Sequence, residues 1–159
     1  MDKRYEAGRI MLFSVGIFMI LRGAFDIYSS NIYPLHMYGN FETSLLEAWS
    51  GNNVVGFIYV SSLVINVFFI ILGILGIVYS KNPAKGKLCF SLGIVLLILL
   101  FIQSFYPSIS MISEDSIDRL GHILVGLGTG VVATIRSAAL PVLFMIGAKL
   151  NTRELENEL

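Results

Sequence analysis

Two arginines, an aspartate and an asparagine stand where their neighbours are almost wholly apolar. Arg22 and Asp26 interrupt the run at 10–29, Asn66 lies inside 54–79, and Arg136 sits near the middle of 121–148. A charged side chain at the centre of a membrane helix costs roughly 2.5–3.5 kcal/mol on insertion scales. Such residues are therefore expected to pair, to face a polar cavity, or to hold a group of opposite charge. Arg22 and Asp26 are four apart, which puts them on one helix face within reach of an ion pair. That pairing neutralises one arginine and leaves the other with its charge. In the alternative arrangement Asp26 bridges both guanidiniums and Asn66 supplies an amide oxygen. The chemistry open to this set is recognition of an anion by the excess guanidinium, with Asp26 as a titratable gate. The competing reading is a structural clamp of Arg22, Asp26, Asn66 and Arg136 that fixes helix register and touches no ligand.

The run around Arg136 has two further patterns. Asp118, His122, Thr129 and Arg136 form a polar line from the outer surface to mid-membrane. On a different face Gly126, Gly130, Thr134 and Ala138 recur every four residues, a small-residue stripe that permits close helix contact. The stripe reads first as packing inside the bundle and second as a dimer seam.

Several chemistries drop out. The GLGTG segment has neither a preceding strand nor the lysine of a phosphate-binding loop. His36 and His122 have no companion carboxylate cluster, so no metal site and no cofactor is expected. One cysteine, Cys89, excludes an intramolecular disulfide and a CxxC redox motif; it reads as an inert buried thiol, with acylation as the alternative. Asp115, Asp118 and His122 are close in sequence, but they make no nucleophile–base arrangement, so no catalytic residue is assigned.

The elements that position these residues follow from composition. The chain has 159 residues, 55% hydrophobic and 14% charged, with a mean hydropathy of +0.77. A soluble domain carries about 25% charged residues, so the deficit indicates a polytopic integral membrane protein. The formal net charge is +0, which provides no field for nucleic acid. The expected fold is all-α, four transmembrane helices in one antiparallel bundle, with spans at about 10–29, 54–79, 88–106 and 121–148. The first run is a retained helix and not a signal peptide, because Arg22 and Asp26 break its end and no A-x-A site follows.

Residues 31–53 form a loop in which FETSLLEAWSG sets Phe41, Leu45, Leu46 and Trp49 near one helical face. That face suits the headgroup layer or a loop packed over the helix ends. The turn KNPAKGK joins spans two and three, which makes them antiparallel neighbours. Pro107 is expected to end span three, and 107–120 is the second outer loop. Ser113 can cap a helix there, with Glu114 and Asp115 in its first turn. Pro141 is expected to kink span four. Residues 149–159 read as a short polar tail.

Basic residues set the orientation. Lys3, Arg4 and Arg9 precede span one, Lys81, Lys85 and Lys87 fill the turn, and Lys149 and Arg153 follow span four; the opposite loops offer Arg119. The positive-inside rule then places both termini in the cytoplasm, in a cell membrane.

Three functions are compatible with these features. The first is a non-enzymatic interaction or accessory module, a homo-oligomer or the partner of another membrane protein. The second is a binder or carrier of an anionic solute or lipid headgroup at the Arg22, Asp26, Asn66, Arg136 centre. The third is an intramembrane lipid-modifying enzyme. Membrane lipids are expected contacts in each.

Overall fold

In the computed structural model, residues 3–29, 53–111 and 119–157 are described. The fold is all-α: α1 is Lys3–Ile27, α2 Asn53–Tyr79, α3 Gly86–Met111 and α4 Arg119–Asn157, with a 3-10 turn Pro83–Lys85 between α2 and α3. All four helices are long and apolar enough to cross a membrane, and no strand occurs among the described residues. The chain is a multi-pass membrane protein.

The α2–α3 turn is set by Asn82 and Pro83. Asn82 Oδ1 accepts the Ala84 N–H at 3.2 Å, its own N–H donates to Tyr79 O at 2.9 Å, and its carbonyl accepts from Lys85 at 3.1 Å. Pro83 begins the turn, where its missing N–H costs nothing.

Glycine contacts fix how the helices run. A Cβ on Gly16 would meet Gly73 O at 2.7 Å, and one on Gly23 would meet Asn66 O at 2.6 Å, so α1 and α2 lie antiparallel and almost backbone to backbone. Gly8 faces Leu150 and Asn151 while Gly147 faces Leu12, which sets α4 antiparallel to α1. Gly93 against Met145 and Gly130 against Ser104 do the same for α3 and α4. Each helix therefore packs on its sequence neighbours, and α4 closes the ring onto α1.

Leu12, Val15 and Met19 of α1 join Ile65, Phe69 and Leu72 of α2, Leu96 and Leu100 of α3 and Phe144 of α4 in one core. Large apolar residues also face outward, among them Phe18, Phe25, Val64, Ile98 and Val132. In water such a surface would aggregate; in hydrocarbon it costs nothing, because acyl chains are as apolar as these side chains.

The helices outrun the apolar spans read from sequence. α1 begins at Lys3, ahead of position 10, with Tyr5 and Gly8 buried. α3 continues through Pro107 to Met111 rather than stopping there. One proline removes a single ladder bond, and α3 carries on across the gap. α4 spans 39 residues, about 58 Å and roughly twice the hydrocarbon thickness. The segment expected as a polar tail continues this helix to Asn157, with Asn151 and Thr152 buried. Asn151 Nδ2 reaches Tyr79 O at 3.4 Å and so ties α4 to the end of α2. Hydropathy marks where a helix is in lipid and is blind to where it continues beyond it.

The start of α1 at Lys3, the end of α4 at Asn157 and the α2–α3 turn lie at one end of the bundle, the basic end. The opposite end, where α1 runs out at Ile27 and α2 begins at Asn53, is the loop end.

Candidate functional site

Arg22 is the best-held ionic side chain of the interior. Gly23 beside it allows α1 to approach the Asn66 backbone, and this brings the Phe69 ring under the guanidinium, with Cζ 4.7 Å from the ring centroid. A cation over an aromatic face is attracted by the ring quadrupole, more so away from water. Arg22 Nε donates to Asp26 Oδ2 at 3.4 Å across one helical turn. Its Nη1 donates to the Ser137 carbonyl of α4 at 3.1 Å.

The Ser137 acceptor has a cause in the sequence. In an α-helix the N–H of residue 141 would bond to the carbonyl of residue 137, and Pro141 has no N–H. The proline therefore releases one carbonyl in α4, and the guanidinium of the neighbouring helix fills it. Within a membrane a released carbonyl needs such a partner.

Arg136 stands next to this anchor and behaves differently. Its side chain is exposed, and it makes no ion pair or hydrogen bond with another described residue. It lines a cavity of about 950 Å³ on the α1–α4 seam, together with Arg22, Asp26, Ser137 and Gly128, beneath a rim of Phe25 and Val132. Gly128 helps to open this space, since a Cβ there would have nothing within 4 Å. A second cavity of about 270 Å³ lies inside the bundle, lined by Arg22, Asp26, Ser62, Asn66, Gln103 and Ser137 among others. The Arg22–Asp26 pair and Ser137 thus form the wall shared by an inner polar chamber and an outer seam.

Among the four residues of the expected centre, Arg22, Asp26 and Arg136 share the seam, and Asn66 shares the inner chamber with Arg22 and Asp26. Asp26 pairs with Arg22, and no contact with Arg136 is present among the described residues. Asn66 is 5% exposed, and its amide donates to Ser62 Oγ at 3.4 Å rather than supplying an oxygen to an arginine. A span read over 10–29 would set Arg22 near its centre. The apolar window of α1 is Tyr5–Ile27, so Arg22 lies about 8 Å along the helix from its loop end and not at its centre. The early start of α1 causes this shift.

In the small-residue stripe, Gly130 is buried, and a Cβ there would meet Ser104 O of α3 at 3.1 Å. Thr134 returns its hydroxyl to Gly130 O at 2.8 Å and Ala138 is half-buried. Gly126 is described only as helical backbone. In the expected polar line, Asp118 lies outside the described residues, and the side chains of His122 and Thr129 do too. The capping segment at Ser113–Asp115 and the Trp49 segment also lie outside them.

Phe69 and Pro141 were legible as residues but not as parts of this centre. The rule that a mid-helix proline releases the carbonyl four residues earlier would have selected Ser137 directly; nothing in the sequence places Phe69 under Arg22. No family model matches the chain, and neither a curated protein nor a solved structure matches it.

Proposed function

We propose that this protein is a non-enzymatic binding module of a cell membrane that holds an anionic group, a phosphate or a carboxylate, against Arg136 in the α1–α4 seam. One observation carries the reading. Among the described residues two guanidiniums and one carboxylate line the seam, the carboxylate is committed to Arg22, and the excess charge resides on Arg136. A cation in a low-dielectric site without a counter-charge is a standing attraction for an anion. With the basic end in the cytoplasm, as the positive-inside rule requires, the site lies in the outer half of the membrane. A lipid headgroup and an anionic solute can both reach that depth.

A second reading is favoured by the rim. Phe25 and Val132, which line the seam, are each 67% exposed, and the adjacent Ile135 is 69% exposed, so an apolar surface surrounds the exposed Arg136 guanidinium. An acidic side chain on a helix of another membrane protein, or of a second copy, would supply the same anion. The protein then acts as an accessory module.

Filling the seam without altering its charge tests the site. Gly128→Leu meets no atom near its Cβ and replaces a helical glycine, so the variant is expected to fold with stability unchanged or raised by about 0.5–1 kcal/mol. Detergent-purified protein is titrated with phosphatidylglycerol and, separately, with inorganic phosphate while thermal unfolding is followed. A bound ligand at 100 times its Kd stabilises the wild type by about 2.7 kcal/mol. Gly128→Leu is expected to lose the part of this gain that Arg136→Gln also loses, and a gain undiminished in the variant contradicts the assignment. A response to phosphate alone identifies a solute site, and a response to lipid alone a headgroup site. A stable complex with an acidic-helix partner that excludes both from the seam selects the second reading.

A further inference from the structure

The basic end carries a second cationic cavity, on different residues from the α1–α4 seam. It has a volume of about 360 Å³ and lies between α1 and the end of α2, lined by Arg9, Ile10, Phe13, Ser80 and Lys81. Among the described residues two cations line it and no carboxylate does. The cations are not used to cap α2. The Tyr79 carbonyl at its end accepts the Asn82 N–H at 2.9 Å and Asn151 Nδ2 at 3.4 Å, and Ile77 O accepts Ser80 Oγ at 2.8 Å. Neither Arg9 nor Lys81 makes an ion pair or hydrogen bond with another described residue.

The position of this cavity matters as much as its charge. Arg9 lies one turn inside the apolar window that opens at Tyr5, and Lys81 lies just past Tyr79, where the α2 window closes. Both cations therefore stand at the edge of the hydrocarbon, where lipid phosphates lie. Below them the lining turns apolar: Ile10 and Phe13 are 56% and 45% exposed, and they continue into the outward face of α1 at Ile17 and Phe18. The feature is polar and doubly cationic above, apolar below, and open sideways to lipid. Basic pockets between transmembrane helices are the usual seats of anionic headgroups.

We infer that this cavity is a specific site for an anionic phospholipid, with the phosphate between Arg9 and Lys81 and an acyl chain along Ile10 and Phe13. An inorganic anion uses the cations and gains nothing from the apolar half. A zwitterionic lipid fits the shape but brings its own cation to a site that already has two. The inference rests on the membrane-spanning fold and is independent of the proposal for Arg136.

Native mass spectrometry of the full chain in detergent, titrated with phosphatidylglycerol or phosphatidylcholine, tests it. At about 1 kcal/mol per basic residue near the surface, Arg9→Gln with Lys81→Gln is expected to weaken the first phosphatidylglycerol bound about thirtyfold. The control, Lys85→Gln with Lys87→Gln, removes the same charge from exposed positions of the adjacent turn and is expected to change it less than about threefold. Arg136→Gln is expected to leave this first binding event unchanged, which separates the two sites. An equal loss in the control, retention in the Arg9, Lys81 variant, or full displacement of the lipid by inorganic phosphate overturns the inference.

Discussion

Asp26→Asn is expected to lower the stability of the bundle by about 3 kcal/mol, the lower end of the cost of breaking a buried ion pair. The variant keeps the shape of the side chain and removes its charge. Arg22 then remains over Phe69 and on the Ser137 carbonyl without a counter-ion, in surroundings that solvate it poorly. The lower end applies because Arg22 and Asp26 side chains retain 26% and 36% exposure. Replacing both, Arg22→Met with Asp26→Leu, is expected to recover more than half of the loss, since neither charge then has to be sheltered. The remaining deficit is the Ser137 carbonyl, which Pro141 leaves without a ladder partner. Reversible unfolding by dodecyl sulfate in mixed micelles measures all three proteins. An Asp26→Asn protein within about 0.5 kcal/mol of the wild type would show that the pair contributes no more than a solvated surface ion pair.

Arg136→Gln is expected to have the opposite sign. Among the described residues Arg136 holds nothing in place, so its removal takes an uncompensated charge out of the membrane and orphans no partner. The gain is expected to be positive and below the roughly 2.5–3.5 kcal/mol charged at mid-depth, because the site lies nearer the loop end. The same substitution removes the excess charge of the seam, and with it the stabilisation by an anion bound in the seam. Two arginines beside one cavity thus separate by role: Arg22 builds the wall and Arg136 faces what enters. The readouts are unfolding stability without ligand and the thermal shift with phosphatidylglycerol or phosphate. A destabilised Arg136→Gln protein that still responds fully to the anion would reverse the two roles.

Much of the fold is readable from the chain because hydrocarbon imposes one simple rule, long apolar helices. The four spans follow from it. What lies beyond the hydrocarbon does not. The residues before position 10 and after 148 are polar enough to resemble solvated ends, yet Gly8 packs on Asn151 and the helices run on. The α1–α2 seam was also hidden, since Gly16, Gly23 and Gly73 recur at intervals of seven or more and show no four-residue stripe like that of Gly126, Gly130, Thr134 and Ala138.

For the site the division is between local and distant geometry. The placement of Arg22 beside Asp26 belongs to one helix and needs no fold. The bond from Arg22 to Ser137 joins residues 115 apart, and the Phe69 ring reaches Arg22 through a glycine contact between two helices. Neither is written in any spacing. Pro141 is the intermediate case: its effect on the carbonyl of Ser137 is local, but the identity of the group that answers it is not.

In the proposed function Arg136 carries a positive charge answered from outside the chain. An experimental map of the protein purified in native lipid measures this directly at the α1–α4 seam. Density for an anionic group, a headgroup, a solute or a partner's carboxylate, is expected within hydrogen-bond distance of the Arg136 guanidinium. A guanidinium already paired with a carboxylate of its own chain, beside a seam holding acyl chain alone, would contradict it.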